Sequence, residues 1–123
     1  MTLLRQSAWI GVLLVVSGCA VFEAKESRYL RSAQGQATQA EIRQHMGPPW
    51  RMGSTPAGEP QWVYEVREED PGSRWTSNGL WCDEYVLTFD PQGVLRRWTH
   101  RSFFHGGELM PDRCESGVQK PAV

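Results

Sequence analysis

A chain of 123 residues with 13 Lys plus Arg against 14 Asp plus Glu carries a formal charge of −1 and has room for one small domain. That balance offers no basic field for nucleic acid, and no cluster of Lys or Arg marks a nucleic-acid or lipid-headgroup patch. Nucleic acid is therefore not an expected partner.

The chain begins with a short polar stretch holding one cation, Arg5, and then runs from Ala8 through Trp9 to Val16 without a charge. This is the layout of an export signal. The apolar run falls well short of the roughly 20 residues that cross a hydrocarbon core, which argues against a permanent transmembrane helix. Val16-Ser17-Gly18-Cys19 resembles the lipobox of bacterial lipoproteins, with Val16 where leucine is usual. The resemblance implies cleavage before Cys19, a thioether from the Cys19 thiol to diacylglycerol, and acylation of the new amino terminus. Ala20, in place of an aspartate, resembles the signal for transfer to the outer membrane. Two or three acyl chains, at about 0.8 kcal/mol per buried methylene, would hold the domain on the membrane. The competing reading is an ordinary signal peptide in which Cys19 is incidental.

Cleavage after residue 18 leaves 105 residues with 12 Lys plus Arg and 14 acidic side chains, and with Cys82 and Cys114 as the remaining cysteines. An even number in an oxidising compartment points to a disulfide. A metal site is the alternative, because His100 and His105 lie between the two cysteines, but the spacing matches no standard zinc pattern.

Residues 19–37 read as a lipidated tether with a short helix, marked by Tyr29 and Leu30. Thr38-Gln39-Ala40-Glu41 has the form of a capping box and predicts a helix from Gln39 to Met46, which Gly47 stops and Pro48-Pro49 keeps from resuming. Met52 to Pro60 is rich in turn residues. Gln61 to Arg67 alternates, with Trp62, Tyr64 and Val66 on one face, and predicts a strand. Glu68 to Gly79 is polar and reads as a long exposed loop carrying Trp75. Trp81 to Phe89, Asp90-Pro91-Gln92-Gly93 and Val94 to Arg101 form a β-hairpin signal, with Trp98 pointing opposite to Leu95. The tail from residue 102 to 123 has Gly106-Gly107, Pro111 and Pro121, so little regular structure is expected beyond what Cys114 fixes. The expectation is a small α+β two-layer domain over residues 38–101, with an N-terminal helix, one or two in number, packed on a three-stranded antiparallel meander.

The ordered features Thr38-x-x-Glu41-Ile42-x-x-x-Met46-Gly47-x-Pro49, Gln61-Trp62-Val63-Tyr64 and Leu87-Thr88-Phe89-Asp90-x-x-Gly93-x-Leu95 resemble the SmpA/OmlA (BamE-like) family of outer-membrane lipoproteins. The resemblance runs from about Tyr29 to Thr99. It implies a non-enzymatic role in β-barrel assembly, with envelope proteins as partners and a lipid-anchored position on the periplasmic face of the outer membrane. This sequence departs from the pattern in its single clearly marked helix, its long loop after Arg67, and its Cys82 and Cys114 with an extended tail. An inhibitory or ligand-binding periplasmic lipoprotein with the same fold is the alternative.

Catalysis needs convergent groups, and the candidates are His45, His100 and His105 with several carboxylates. His45 sits at a helix end, where the dipole favours a cation. No phosphate loop, nucleophile elbow or paired metal-ligand motif is present, so neither enzyme activity, a cofactor nor a metal is expected. Five tryptophans remain after cleavage. Trp62 reads as core. Trp50 and Trp75 fall in expected loops, and Trp81 and Trp98 are assigned to the strand face away from Tyr85 and Leu87. Those four are candidate partner-binding residues, since exposed tryptophan buries much area with few rotatable bonds. Packing beneath the loop or tail is the alternative for them.

Overall fold

A computed structural model of the chain describes residues 23–107 and 111–119. Cys19 and the export signal expected before it lie outside the described residues. Two helices, α1 (Lys25–Ala33) and α2 (Gln39–Met46), precede five strands, β1 (Arg51–Ser54), β2 (Pro60–Asp70), β3 (Gly79–Phe89), β4 (Leu95–Gly106) and β5 (Val118–Gln119). The strands form one sheet in the order β1-β2-β3-β4-β5, with every neighbouring pair antiparallel. The class is α+β, as expected, but the sheet has five strands rather than three. No helix among the described residues is long and apolar enough to cross a membrane.

The helix α2 has the bounds and cap that its sequence sets. The Glu41 amide donates to Thr38 Oγ1 at 3.3 Å, and the Thr38 amide donates to Glu41 Oε2 at 3.1 Å. Each bond satisfies an amide that the first helical turn leaves without a partner. Gly47 then takes φ 82°, a left-handed value open to glycine, and its amide donates to the Arg43 carbonyl at 2.8 Å. The short helix expected in residues 19–37 is α1, and it belongs to the core. Leu30 is fully buried, and Ser27 and Ala33 point inward beside it.

One sheet face carries the main core. Leu30, Ala33, Ala37 and Ile42 from the helical layer meet Trp62, Tyr64, Tyr85, Leu87, Phe89 and Leu95. The Asp90–Gly93 turn closes as the sequence predicts, with Asp90 Oδ1 accepting from the amides of Gln92 and Val94 at 2.9 Å each. Next to it the register slips by one residue. Thr88 pairs with Arg97, whereas Phe89 pairs with Leu95. A bulge of this kind puts two residues of one strand against one of the other and resets the alternation. Leu95 and Trp98 consequently face the same layer, where strict period-two alternation opposes them.

Three further corrections concern extent. The residues Arg51–Ser54, all but the first within the stretch read as turns, pair with Pro60–Val63 as an exposed edge strand. The long loop shrinks to residues 71–78, because Glu68, Glu69 and Asp70 pair with Trp81, Leu80 and Gly79. The tail also contributes structure. Pro111 is fully buried, a 3-10 turn spans Cys114–Ser116, and β5 pairs with Phe103 and Phe104. Cys82 and Cys114 are disulfide-bonded with Cα atoms 5.3 Å apart and pack with Phe103 in a second small core on the opposite sheet face.

Candidate functional site

Strand β1 stops early, and that leaves an open stretch along β2. The Trp50 amide donates to the Val63 carbonyl at 2.8 Å, and the preceding Pro48-Pro49 leads away towards α2. Beyond Val63, the residues Tyr64–Asp70 have a paired neighbour on the β3 side only, among the described residues. A groove of about 410 Å³ lies along the start of this stretch, lined by His45, Met46, Pro48, Trp50, Tyr64, Glu65 and Val66, with Lys25 and Glu26 at the first turn of α1. A smaller hollow of about 130 Å³ adjoins it through Trp50 and Glu65 and reaches Arg113 and Glu115 of the tail.

The groove floor is held firmly. Tyr64 donates its hydroxyl to the Gly47 carbonyl at 2.9 Å, which ties β2 to the end of α2, and burial pushes its pKa up to about 12. His45 stacks on Tyr29 with ring centroids 3.6 Å apart, and burial, followed by the nearby Glu41 carboxylate, raises the Tyr29 phenol above its ordinary value. On the tail face, Glu65 accepts from Arg67 at 3.1 Å while Arg67 also donates to the Pro111 carbonyl at 2.5 Å. The tail is thus fastened to β2 as well as to β3.

The four tryptophans named as candidates do not form one patch. Trp50 is 54% exposed at one end of the open β2 edge, and Trp75 is 87% exposed in the loop beyond its other end. Trp81 and Trp98 are half-buried, and both depart from the expected placement. Trp98 pairs with Leu87, lies 6.3 Å from the Tyr85 ring and packs on the main core. Trp81 shares the period-two side of Tyr85, lies 4.9 Å from the Phe104 ring and donates its indole N–H to Asp70 Oδ2 at 3.2 Å. The bulge accounts for Trp98, and simple alternation from Tyr85 accounts for Trp81. Sequence reasoning missed the open edge itself, because no residue type announces where a neighbouring strand ends.

The three histidines are separated by the fold. His45 is on α2. His100 pairs with Asp83 at 2.7 Å and stacks on Tyr85, whose hydroxyl is shared with Ser27 at 3.2 Å. The Ser27 hydroxyl thus bonds to Tyr85 and not to the imidazole. His105 is buried, with Nε2 2.9 Å from the Cys114 carbonyl oxygen. The metal alternative that joined His100 and His105 to the cysteines fails on geometry. His100 lies across from Tyr85 on the helix-covered face, and the two sulfurs are bonded to each other. Glu65 has a carboxylate oxygen within 4.8 Å of both sulfurs, but it is bridged to Arg67.

The chain matches no protein-family model, no curated protein and no solved structure at a significant level.

Proposed function

We propose that the protein is a non-enzymatic lipoprotein, anchored through Cys19 on the periplasmic face of the outer membrane. There it acts as a protein-binding adaptor or stabiliser in envelope assembly, as resemblance to the SmpA/OmlA (BamE-like) family implies for β-barrel biogenesis. The observation that carries this reading is Trp50, 54% exposed at the lip of a groove that runs beside an open strand edge. A solvent-facing indole beside a groove that sets Met46, Pro48 and Val66 among the polar groups of Lys25, Glu26, His45 and Glu65 has the mixed composition of a protein-binding surface. The scattering of His45, His100 and His105 supports a binding role over catalysis.

Co-isolation from the envelope in mild detergent tests it. A barrel-assembly component or another stable envelope protein should accompany the wild-type chain, and Trp50→Ala should reduce its recovery several-fold. Isolation of the chain alone would remove the adaptor reading. A ligand-binding or inhibitory lipoprotein with the same fold is the second reading, favoured by a groove volume of about 410 Å³, which suits a small molecule. That reading predicts a small molecule, or a single inhibited enzyme, in the isolated material. Neither reading calls for a cofactor, a metal or nucleic acid.

A further inference from the structure

We infer that the open edge of β2 from Tyr64 to Asp70 is where the partner docks, by adding an extended segment of its own chain as a strand that continues the line of β1. This deepens the adaptor reading and rests on it. The backbone supplies the first argument. In a strand, the N–H and C=O of one residue share an edge and successive residues alternate between edges. The Val63 carbonyl faces the β1 side, since it accepts from the Trp50 amide, so Glu65, Arg67 and Glu69 direct their backbone groups to the same side. Among the described residues none of those groups takes a backbone partner there, because β1 has ended at Arg51 opposite Val63. An open row of donors and acceptors is a template for another strand.

The surroundings identify the kind of strand. Near Tyr64 and Val66 the added segment would lie against Met46, Pro48 and Trp50, the apolar side of a groove whose other lining is polar, and these three would take apolar side chains at alternate positions. Further along, Glu68 and Glu69 are exposed and have no ion-pair partner among the described residues, while Asp70 accepts from Trp81 and from the Gly72 amide. With Glu65 bridged to Arg67, this end of the edge is acidic. A second copy of the chain would set those carboxylates against a copy of themselves, a repulsive arrangement. A segment with apolar residues alternating with Lys or Arg satisfies both halves. Trp50, whose amide bonds to the Val63 carbonyl, lies just before the edge and Trp75 lies in the loop that follows Asp70; the seven edge residues between span about 23 Å at strand rise. The outer edge of β4 is less available. The amides of Gly35 and Leu95 pair the helix linker with its start, and β5 covers Phe103 and Phe104.

The test uses the full chain in mild detergent and an acetylated octapeptide of alternating lysine and valine, which presents the same pattern in either strand direction. Binding should slow hydrogen exchange in the segment 64–70, and methylating the peptide's alternate backbone nitrogens should weaken binding at least tenfold. An octapeptide alternating glutamate and valine should not bind. Glu69→Pro should weaken binding of the lysine peptide at least tenfold, since its amide faces outward and its loss breaks no bond to β3. No binding of the lysine peptide, or binding that tolerates N-methylation, overturns the proposal whether or not the proline variant folds. Protection of 64–70 that grows with protein concentration in the absence of peptide would assign the edge to a second copy instead. If Glu69→Pro still co-isolates the envelope partner at wild-type yield, the edge proposal fails and the adaptor stands; if the wild-type chain co-isolates nothing, the adaptor reading itself fails.

Discussion

Tyr64 joins the floor of the groove to the end of α2 through one hydrogen bond to the Gly47 carbonyl. Tyr64→Phe should cost about 1 kcal/mol in a denaturant titration at neutral pH, the usual net worth of such a bond. Burial holds the folded-state pKa at about 12, above the unfolded value near 10. The unfolded chain therefore loses this proton first as pH rises. Stability is untouched by Tyr64 below pH 10 and falls between about pH 10 and 12. Tyr85 is also raised, mainly by burial and against the lowering effect of its bond to Ser27, so Tyr64→Phe should lessen the alkaline loss without abolishing it. An unchanged pH profile would show that Tyr64 is not buried in solution. At this scale the sequence is informative where a residue's role is local. Thr38 with Glu41 and Asp90 with Gly93 state their own bonds, because partner and spacing lie within four residues. The tryptophans do not. Residue type marks Trp50, Trp75, Trp81 and Trp98 as candidates, and only the three-dimensional environment separates the two that face solvent from the two held by neighbours.

Among elements, the legible ones have strong local signals. Helix α2 has its capping box, and β3 and β4 have their turn. The illegible ones are short or lean. Strands β1 and β5, four and two residues long and exposed throughout, exist through pairing and have no alternation to read. Helix α1 is legible only in part: the sequence marks a short amphipathic helix there, but with Leu30 as its one large fully buried residue it reads as part of a tether and not of the core. Its place in the core still makes a firm prediction. Leu30→Ala should destabilise the domain by about 2–5 kcal/mol, as for other fully buried leucines, and a loss below about 1 kcal/mol would show that α1 is a loose appendage. The tail is judged by its crosslink. The Cys82–Cys114 bond spans 32 residues, and the double change Cys82→Ser with Cys114→Ser should cost about 3–4 kcal/mol on the loop-entropy account. It should also speed hydrogen exchange at Val118 and Gln119, because their pairing with β4 is brief. Equal stability of the oxidised and substituted proteins would remove the crosslink from the energetics.

On the proposed reading, the whole molecule brings a membrane address and a binding surface together. If lipid is attached at Cys19, five residues separate it from Lys25, at most about 21 Å of extended chain from one to the other, so the α1 end of the groove stays close to the bilayer surface. The proposed address is written in four residues, since a processing signal is a linear string. The surface is not, because it depends on which strand is left unpaired and over what length, a property of the assembled sheet. Photo-crosslinking in intact cells joins the two most directly. A photoreactive amino acid in place of Trp50 should give a discrete adduct with an envelope protein, and the same amino acid in place of Val118, which is 76% exposed on the far side of the sheet, should give none. No adduct at position 50, or equal adducts at both positions, would contradict an adaptor that binds through the groove beside β2.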